Sequence, residues 1–199
     1  MQLRYSAVSP YARKVCCLAM ATGLWSRITP LLTNPWDEST DLSRDNPLGK
    51  IPVLILEDRS SLYDSRVICE YLDSLHQEHK WFPQDATARW SALRYQALGD
   101  GIADAAVQCV IENRRPLSQQ SPQWRDRQLA AMQRAIQTIE LQCEELQNAQ
   151  HIGALAIVCA LGYWDFRLPE IDWRGQAPQL AQYYASWSQH AWWLATMPE

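Results

Sequence analysis

Ser9-Pro10-Tyr11-Ala12-Arg13-Lys14-Val15 follows a short alternating run, Gln2 to Ser6, in which Leu3 and Tyr5 share a face. Alternation predicts a strand. Proline suits a first helical turn, because the N–H it lacks has no intrahelical partner there. The spacing therefore predicts a helix from Pro10 to Thr22, with Ser9 at its N-terminus and Gly23 as a natural C-cap. Open N–H groups and the positive end of the helix dipole favour an anion at Ser9.

Outward from this strand–helix step, Arg27 to Leu32 reads as a second strand. Asn34 to Asn46, rich in Asp, Ser, Thr, Asn and Pro, reads as a loop with room for one helical turn. Val53 to Leu56 is a continuous apolar run, as in a buried strand, and Glu57-Asp58-Arg59-Ser60 turns it back into Ser61 to Tyr63. Asp64 then caps a helix with apolar residues Val67, Ile68, Tyr71, Leu72 and Leu75 at helical spacing. The order is β-α-β, a loop, then β-β-α.

His79 to Gln84 is polar, contains Pro83 and suits a linker. Everything beyond it reads as helix. Ala86 to Arg114 is one long segment, stopped before Pro116, and Trp124 to Gln150 is a second with a bundle-facing stripe. Ile152 to Trp164 is apolar nearly all round and predicts a buried central helix. A last helix is predicted from Pro178 to Trp193. The pattern thus reads as α/β plus all-α: an α/β domain over residues 1–78 and an all-helical domain over 86–199.

Composition narrows the function classes. A net charge of -4 gives no electrostatic footprint for nucleic acid. No apolar run is long enough to span a bilayer, and the first residues lack the pattern of a secretory signal, so a cytoplasmic chain is expected. The six cysteines show no C-x-x-C spacing, and a reduced, partly buried set is the simplest account. His76 and His79 read as cations at a helix C-terminus, and no metal site is expected. Seven of the ten Trp lie from Trp90 onward, which makes aromatic packing chiefly a matter for the second half.

Four pieces then point one way. They are Ser9 to Val15, Asn46-Pro47-Leu48-Gly49-Lys50-Ile51-Pro52-Val53-Leu54, Leu62-Tyr63-Asp64-Ser65-Arg66-Val67-Ile68-Cys69-Glu70-Tyr71-Leu72, and Cys159-Ala160-Leu161-Gly162-Tyr163-Trp164-Asp165-Phe166-Arg167-Leu168-Pro169. In this order they closely resemble the glutathione transferase superfamily, in particular bacterial members with an S-P-[FY]-x-R-K-[VL] start. The resemblance spans nearly the whole chain. A glutaredoxin would carry Cys-Pro-Tyr-Cys where this chain has Ser9-Pro10-Tyr11-Ala12. Neither of those thiols is present, so the position is suited to holding another molecule's thiolate.

The resemblance implies that the domain over residues 1–78 is thioredoxin-like, and that glutathione is the co-substrate, with no metal. It implies a cis proline at Pro52, and through it an Ile51 backbone turned to pair with the cysteinyl unit, as an added strand does. Asp64 and Ser65 would recognise the γ-glutamyl end, and Lys50 the glycyl carboxylate. Ser9 becomes the catalytic residue by donating a hydrogen bond to the thiolate. No His–Asp pair is placed to make it a nucleophile. Tyr11 would line the second-substrate site, together with Asp104 and Val107 from the long helix. The expected partners are glutathione and a small apolar electrophile in a cleft between the domains. No nucleic acid or membrane is expected, and the resemblance implies a homodimer.

Relatives carry Thr-x-x-Asp before the core helix, whereas here His151, Ile152, Gly153 and Ala154 stand there, so the capping box is expected to be absent. Two other readings stay open. One is a non-catalytic binding or regulatory protein on the same fold. The other is a thiol oxidoreductase using Cys16 or Cys17.

Overall fold

The computed structural model describes every residue except Asn148 and Glu199. The chain falls into two compact units, Met1–Gln84 with Ala191 onward, and Asp85–His190.

The first unit is built on a four-stranded mixed sheet. Strand β1 (Gln2–Tyr5) leads into helix α1 (Pro10–Ala21), and β2 (Thr29–Leu32) returns parallel to β1. Strands β3 (Val53–Ile55) and β4 (Ser61–Leu62) are antiparallel additions, giving the order β2-β1-β3-β4. Leu3 pairs with Leu54, and both are fully buried. Helix α2 (Ser65–Ser74) buries Ile68, Cys69 and Leu72, while Val67 of the same stripe stands 47 % exposed. The α1 helix ends as its sequence predicts: Gly23 takes φ 72°, a left-handed conformation that costs glycine least. The 34–46 loop contains one 3-10 turn, Leu42–Arg44. It is tied to β1 by Arg4, which reaches Asp41 at 2.8 Å and Asp45 at 2.6 Å.

The stretch after α2 is not a free linker. Trp81 and Phe82 are buried, and their N–H groups donate to the Asp73 carboxylate at 2.8 and 3.2 Å. Lys80 caps the helix by donating to the Asp73 carbonyl and to the His76 carbonyl. Polarity and Pro83 suggested a linker, but two aromatic residues outweigh them, because burying each removes a large apolar area from water.

In the second unit, helix α3 (Ala86–Arg114) packs along α6 (Ile152–Arg167), the buried central helix. Between them, the single helix expected from Trp124 to Gln150 is two: α4 (Pro122–Leu141) and α5 (Cys143–Leu146). The break falls at Gln142, whose side-chain oxygen accepts from Arg94 and from Tyr95 Oη at 3.0 and 3.1 Å. The far end of that expected segment includes Asn148, which lies outside the described residues.

The last segment is also broken. Helix α7 (Pro178–Ser186) passes into a 3-10 turn, Trp187–Gln189, and His190 adopts an extended conformation. A short helix, α8 (Ala191–Leu194), follows and groups with the first unit. Pro178 starts the segment as predicted, but continuity to Trp193 does not hold. Trp187 and Trp193 are both buried, in different units.

The α6 start is capped after all. His151 occupies the N-cap, and its Nδ1 accepts from the Ala154 N–H at 3.1 Å, as a threonine oxygen would. Its ring also stacks on Tyr95, with centroids 6.0 Å apart. Only the returning half of the capping box is missing, because Ala154 has no side chain to reach back. His151→Ala removes the acceptor and the stacked ring together. It is expected to cost about 1–2 kcal/mol, read as a lower midpoint in urea unfolding with an unchanged m-value.

Candidate functional site

Strand register gathers the site. Arg4 faces Val53 across β1 and β3, and Leu54 faces Leu62 across β3 and β4. Continuing those ladders by two residues brings the end of β1, the approach to β3 and the end of β4 to one end of the sheet. Ser9 follows β1 there, Lys50 and Ile51 precede β3, and Asp64 and Ser65 follow β4. Five residues from three segments of sequence thus belong to one end of one sheet.

Ser9 is the N-cap of α1, extended at φ -87° and ψ 124°, and its Oγ accepts from the Ala12 N–H at 3.2 Å. With one lone pair so engaged, the hydroxyl keeps its O–H as a donor. That is the polarity needed to bind an anion. The Ile51–Pro52 peptide is cis. Among the described residues the N–H and C=O of Ile51 take no hydrogen-bond partner, so this short edge is open to an added extended chain.

Asn46 organises the loop that presents this edge. It is 2 % exposed, donates through Nδ2 to the Lys50 carbonyl at 2.7 Å, and accepts the Leu48 N–H on Oδ1 at 3.0 Å. Its own carbonyl accepts the N–H of Gly49, which turns through φ 61°. Sequence reasoning quoted Asn46 within its motif but gave it no role. An asparagine followed by Pro and Gly is the signal that could have found it. Lys50 is exposed beside this loop.

At the start of α2, Asp64 Oδ1 accepts the Arg66 N–H at 2.9 Å, an ordinary cap. The peptide before it, Tyr63–Asp64, is cis without proline. Ser65 is 2 % exposed, yet its hydroxyl takes no partner among the described residues. A nearly buried, unpaired hydroxyl beside open N–H groups of a helix N-terminus suits a carboxylate. Tyr11 is half-buried in the first turn of α1. Asp104 and Val107 lie on α3 in the second unit, exposed and half-buried respectively.

Two surface depressions flank Arg4, of about 390 and 520 Å³, lined by residues such as Leu32, Thr33 and Asp41 on one side and Gln2, Glu57 and Arg59 on the other. Neither includes Ser9, Ile51 or Ser65, so neither belongs to the cluster at the end of the sheet.

All six cysteines are buried, and none is in a disulfide. Burial pushes the Cys16 thiol far up, with Cys17 and Cys69 adding to the effect. Such a thiol is a poor nucleophile at neutral pH.

The N-terminal domain of glutathione S-transferases matches residues 8–75. The uncharacterized GST-like protein YibF of Escherichia coli is 30 % identical over 185 residues, covering 92 % of this chain and 91 % of that one. The chain belongs to the glutathione S-transferase family. A glutathione transferase family member from Pseudomonas fluorescens, crystallised with bound glutathione, is 41 % identical with a TM-score of 0.96, covering 100 % of this chain and 98 % of that one. The glutathione S-transferase of Methylobacillus flagellatus, with glutathione bound, is 39 % identical at a TM-score of 0.94, covering 100 % and 99 %. The thioredoxin-like sheet of this chain, followed by its mostly helical remainder, is the fold of those structures. No helix among the described residues is long and apolar enough to cross a membrane.

Proposed function

We propose that this glutathione S-transferase binds glutathione along the end of its sheet and holds the thiol as a thiolate at Ser9 for attack on a small electrophile. The observation that carries the reading is the polarity of Ser9: its oxygen is occupied by the Ala12 N–H, so its proton is left to donate outward from a helix N-terminus. The open Ile51 backbone supports pairing with the cysteinyl unit, and the unpaired Ser65 hydroxyl supports capture of the γ-glutamyl carboxylate. Asp64 would assist with the amine and Lys50 with the glycyl carboxylate. The S-P-Y-A-R-K-V start supports placing the chain among bacterial members with that motif.

The reaction is addition of glutathione to the electrophile, or displacement on it. The thiol proton is released to solvent before attack; in addition the sulfur bonds to carbon as the electrophile's π bond opens and a proton is taken up, and in displacement it bonds to carbon as the leaving group departs with the bonding pair. Tyr11 is the candidate contact to a small apolar electrophile on α1, and Asp104 and Val107 are the candidates on α3. A cytoplasmic homodimer is the proposed form, which sedimentation in solution tests. An oxidoreductase reading would need an accessible thiolate, and the buried Cys16 thiol weighs against it.

The reading is tested by calorimetry with glutathione. Binding at millimolar glutathione or tighter is expected. Ser65→Ala should weaken it by about 1–3 kcal/mol, the cost of losing a hydrogen bond to a charged group. No binding at that concentration would end the proposal, and equal binding by variant and parent would reduce Ser65 to a packing residue.

A further inference from the structure

The family motif includes a cation with no evident task at its position. Arg13 lies in the first turns of α1 and is only 4 % exposed. A buried guanidinium is expensive unless it is paired. Arg13 has no carboxylate partner among the described residues.

It is held instead by neutral groups of the C-terminal segment. Its guanidinium lies 3.6 Å from the centre of the Trp193 ring. It donates through Nη2 to the Trp193 carbonyl at 3.3 Å and to the Met197 sulfur at 2.8 Å. Nε donates to Thr196 Oγ1 at 3.4 Å. Nη1 is buried and has no partner among the described residues. Thr196 Oγ1 also bonds Cys17, one turn further along α1, at 3.1 Å.

The placement relative to Ser9 is the second observation. The Arg13 N–H donates to the Ser9 carbonyl at 2.9 Å, the first hydrogen bond of the helix. Arg13 therefore sits one turn, about 6 Å along the axis, behind the Ser9 cap. Neutral acceptors spread a charge but do not cancel it. In a weakly polar interior an uncancelled cation acts over such a distance.

We propose that Arg13 is a positioning residue for the Ser9 site, whose buried charge, fixed by Trp193, Thr196 and Met197, favours an anion held at the α1 N-terminus. This rests on the proposed role of Ser9. The charge adds to the helix dipole, and the C-terminal segment serves as its seat. Other titratable groups bear on α1. Tyr11, Lys14, Cys16 and Cys17 lie on α1 itself, while α2, packed against it, carries Cys69 and Asp73, both buried, Tyr71, half-buried, and Arg66 and Glu70, exposed. The 3-10 turn against α1 carries Arg27, exposed, and residues 191–198 carry no titratable side chain.

The experiment titrates the ultraviolet absorbance of the bound glutathione thiolate against pH in the full-length protein, with calorimetric Kd and Tm recorded beside it. Arg13→Met keeps the stem and removes the charge. It should raise the apparent thiol pKa by about one unit, which is up to about tenfold less thiolate at pH values well below that pKa, with glutathione Kd within about threefold. Arg13→Lys keeps the charge and loses the stacked fork. It should stay within half a unit of the parent.

A folded Arg13→Met with the parent's pKa overturns the proposal. If that variant does not fold, Arg13→Lys decides. A pKa near the parent supports the charge, and a shift of a unit or more shows that only the contacts matter. Ser9→Ala is titrated in parallel. If it leaves the pKa unmoved, the Ser9 reading fails; if it moves the pKa and Arg13→Met does not, only this proposal fails.

Discussion

Ser9→Ala is expected to lower turnover at pH 7 by roughly three- to twenty-five-fold, and more at lower pH, while leaving glutathione affinity nearly intact. A hydrogen bond to a charged acceptor contributes about 1.5–3 kcal/mol, and about 1.4 kcal/mol corresponds to one pKa unit. Losing the Ser9 donor therefore raises the pKa of bound thiol by one to two units. The sign fixes the pH dependence. Ser9 favours the ionised form, so its removal costs most below the thiol pKa near 8.5 and little above it. Turnover of the variant should thus recover as pH rises past that value. The backbone pair at Ile51 and the group at Ser65 remain, so binding should not collapse. The same substitution removes the cap on Ala12 N–H, and a loss of about 1 kcal/mol in stability is expected beside it. A loss of turnover that persists at high pH would point to the cap alone.

Gly99→Ala should destabilise the helical unit by about 3 kcal/mol, although alanine is ordinarily the better helix former. A Cβ at Gly99 would stand 2.5 Å from the Ile157 backbone nitrogen and 2.6 Å from the Ala156 carbonyl carbon. These are main-chain atoms of α6 and cannot rotate aside, so the helices must part. Gly153 makes the reciprocal approach, where a Cβ would collide with the Ala92 carbonyl and Tyr95 Cβ. The two glycines let α3 and α6 meet backbone to backbone. Gly101, two residues from Gly99 on the same helix, has open space at its Cβ and serves as the control. Gly101→Ala should be neutral or stabilising. Thermal unfolding of both variants makes the comparison, with a fall of about 10–20 °C expected at Gly99.

Local signals made most of the first unit legible. A strand followed by Ser9-Pro10, an apolar run at Val53 and a capping Asp64 each have a backbone consequence that neighbours in sequence decide. The candidate residues of that unit then meet at one end of the sheet because register is fixed by the same alternation. What escaped depends on contacts distant in sequence. The break at Gln142 goes with bonds from Arg94 and Tyr95, some fifty residues earlier. The burial of Trp81 and Phe82 answers to Asp73. His151 was passed over because imidazole is an uncommon cap, although its Nδ1 has the same acceptor chemistry. Nothing in the sequence marks a cis peptide before Asp64, where no proline stands. The packing of the C-terminal segment on Arg13 joins residues about 180 positions apart, and helical periodicity alone carries the chain straight through His190.

The most direct test is a pH titration of the ultraviolet absorbance of the glutathione complex. If the helix N-terminus and Ser9 act together on the thiol, bound glutathione should ionise about two units below a free cysteine thiol, near pH 6.5. An apparent pKa for the bound thiol near 8.5, in a complex that calorimetry shows to be saturated, would contradict thiolate stabilisation at Ser9.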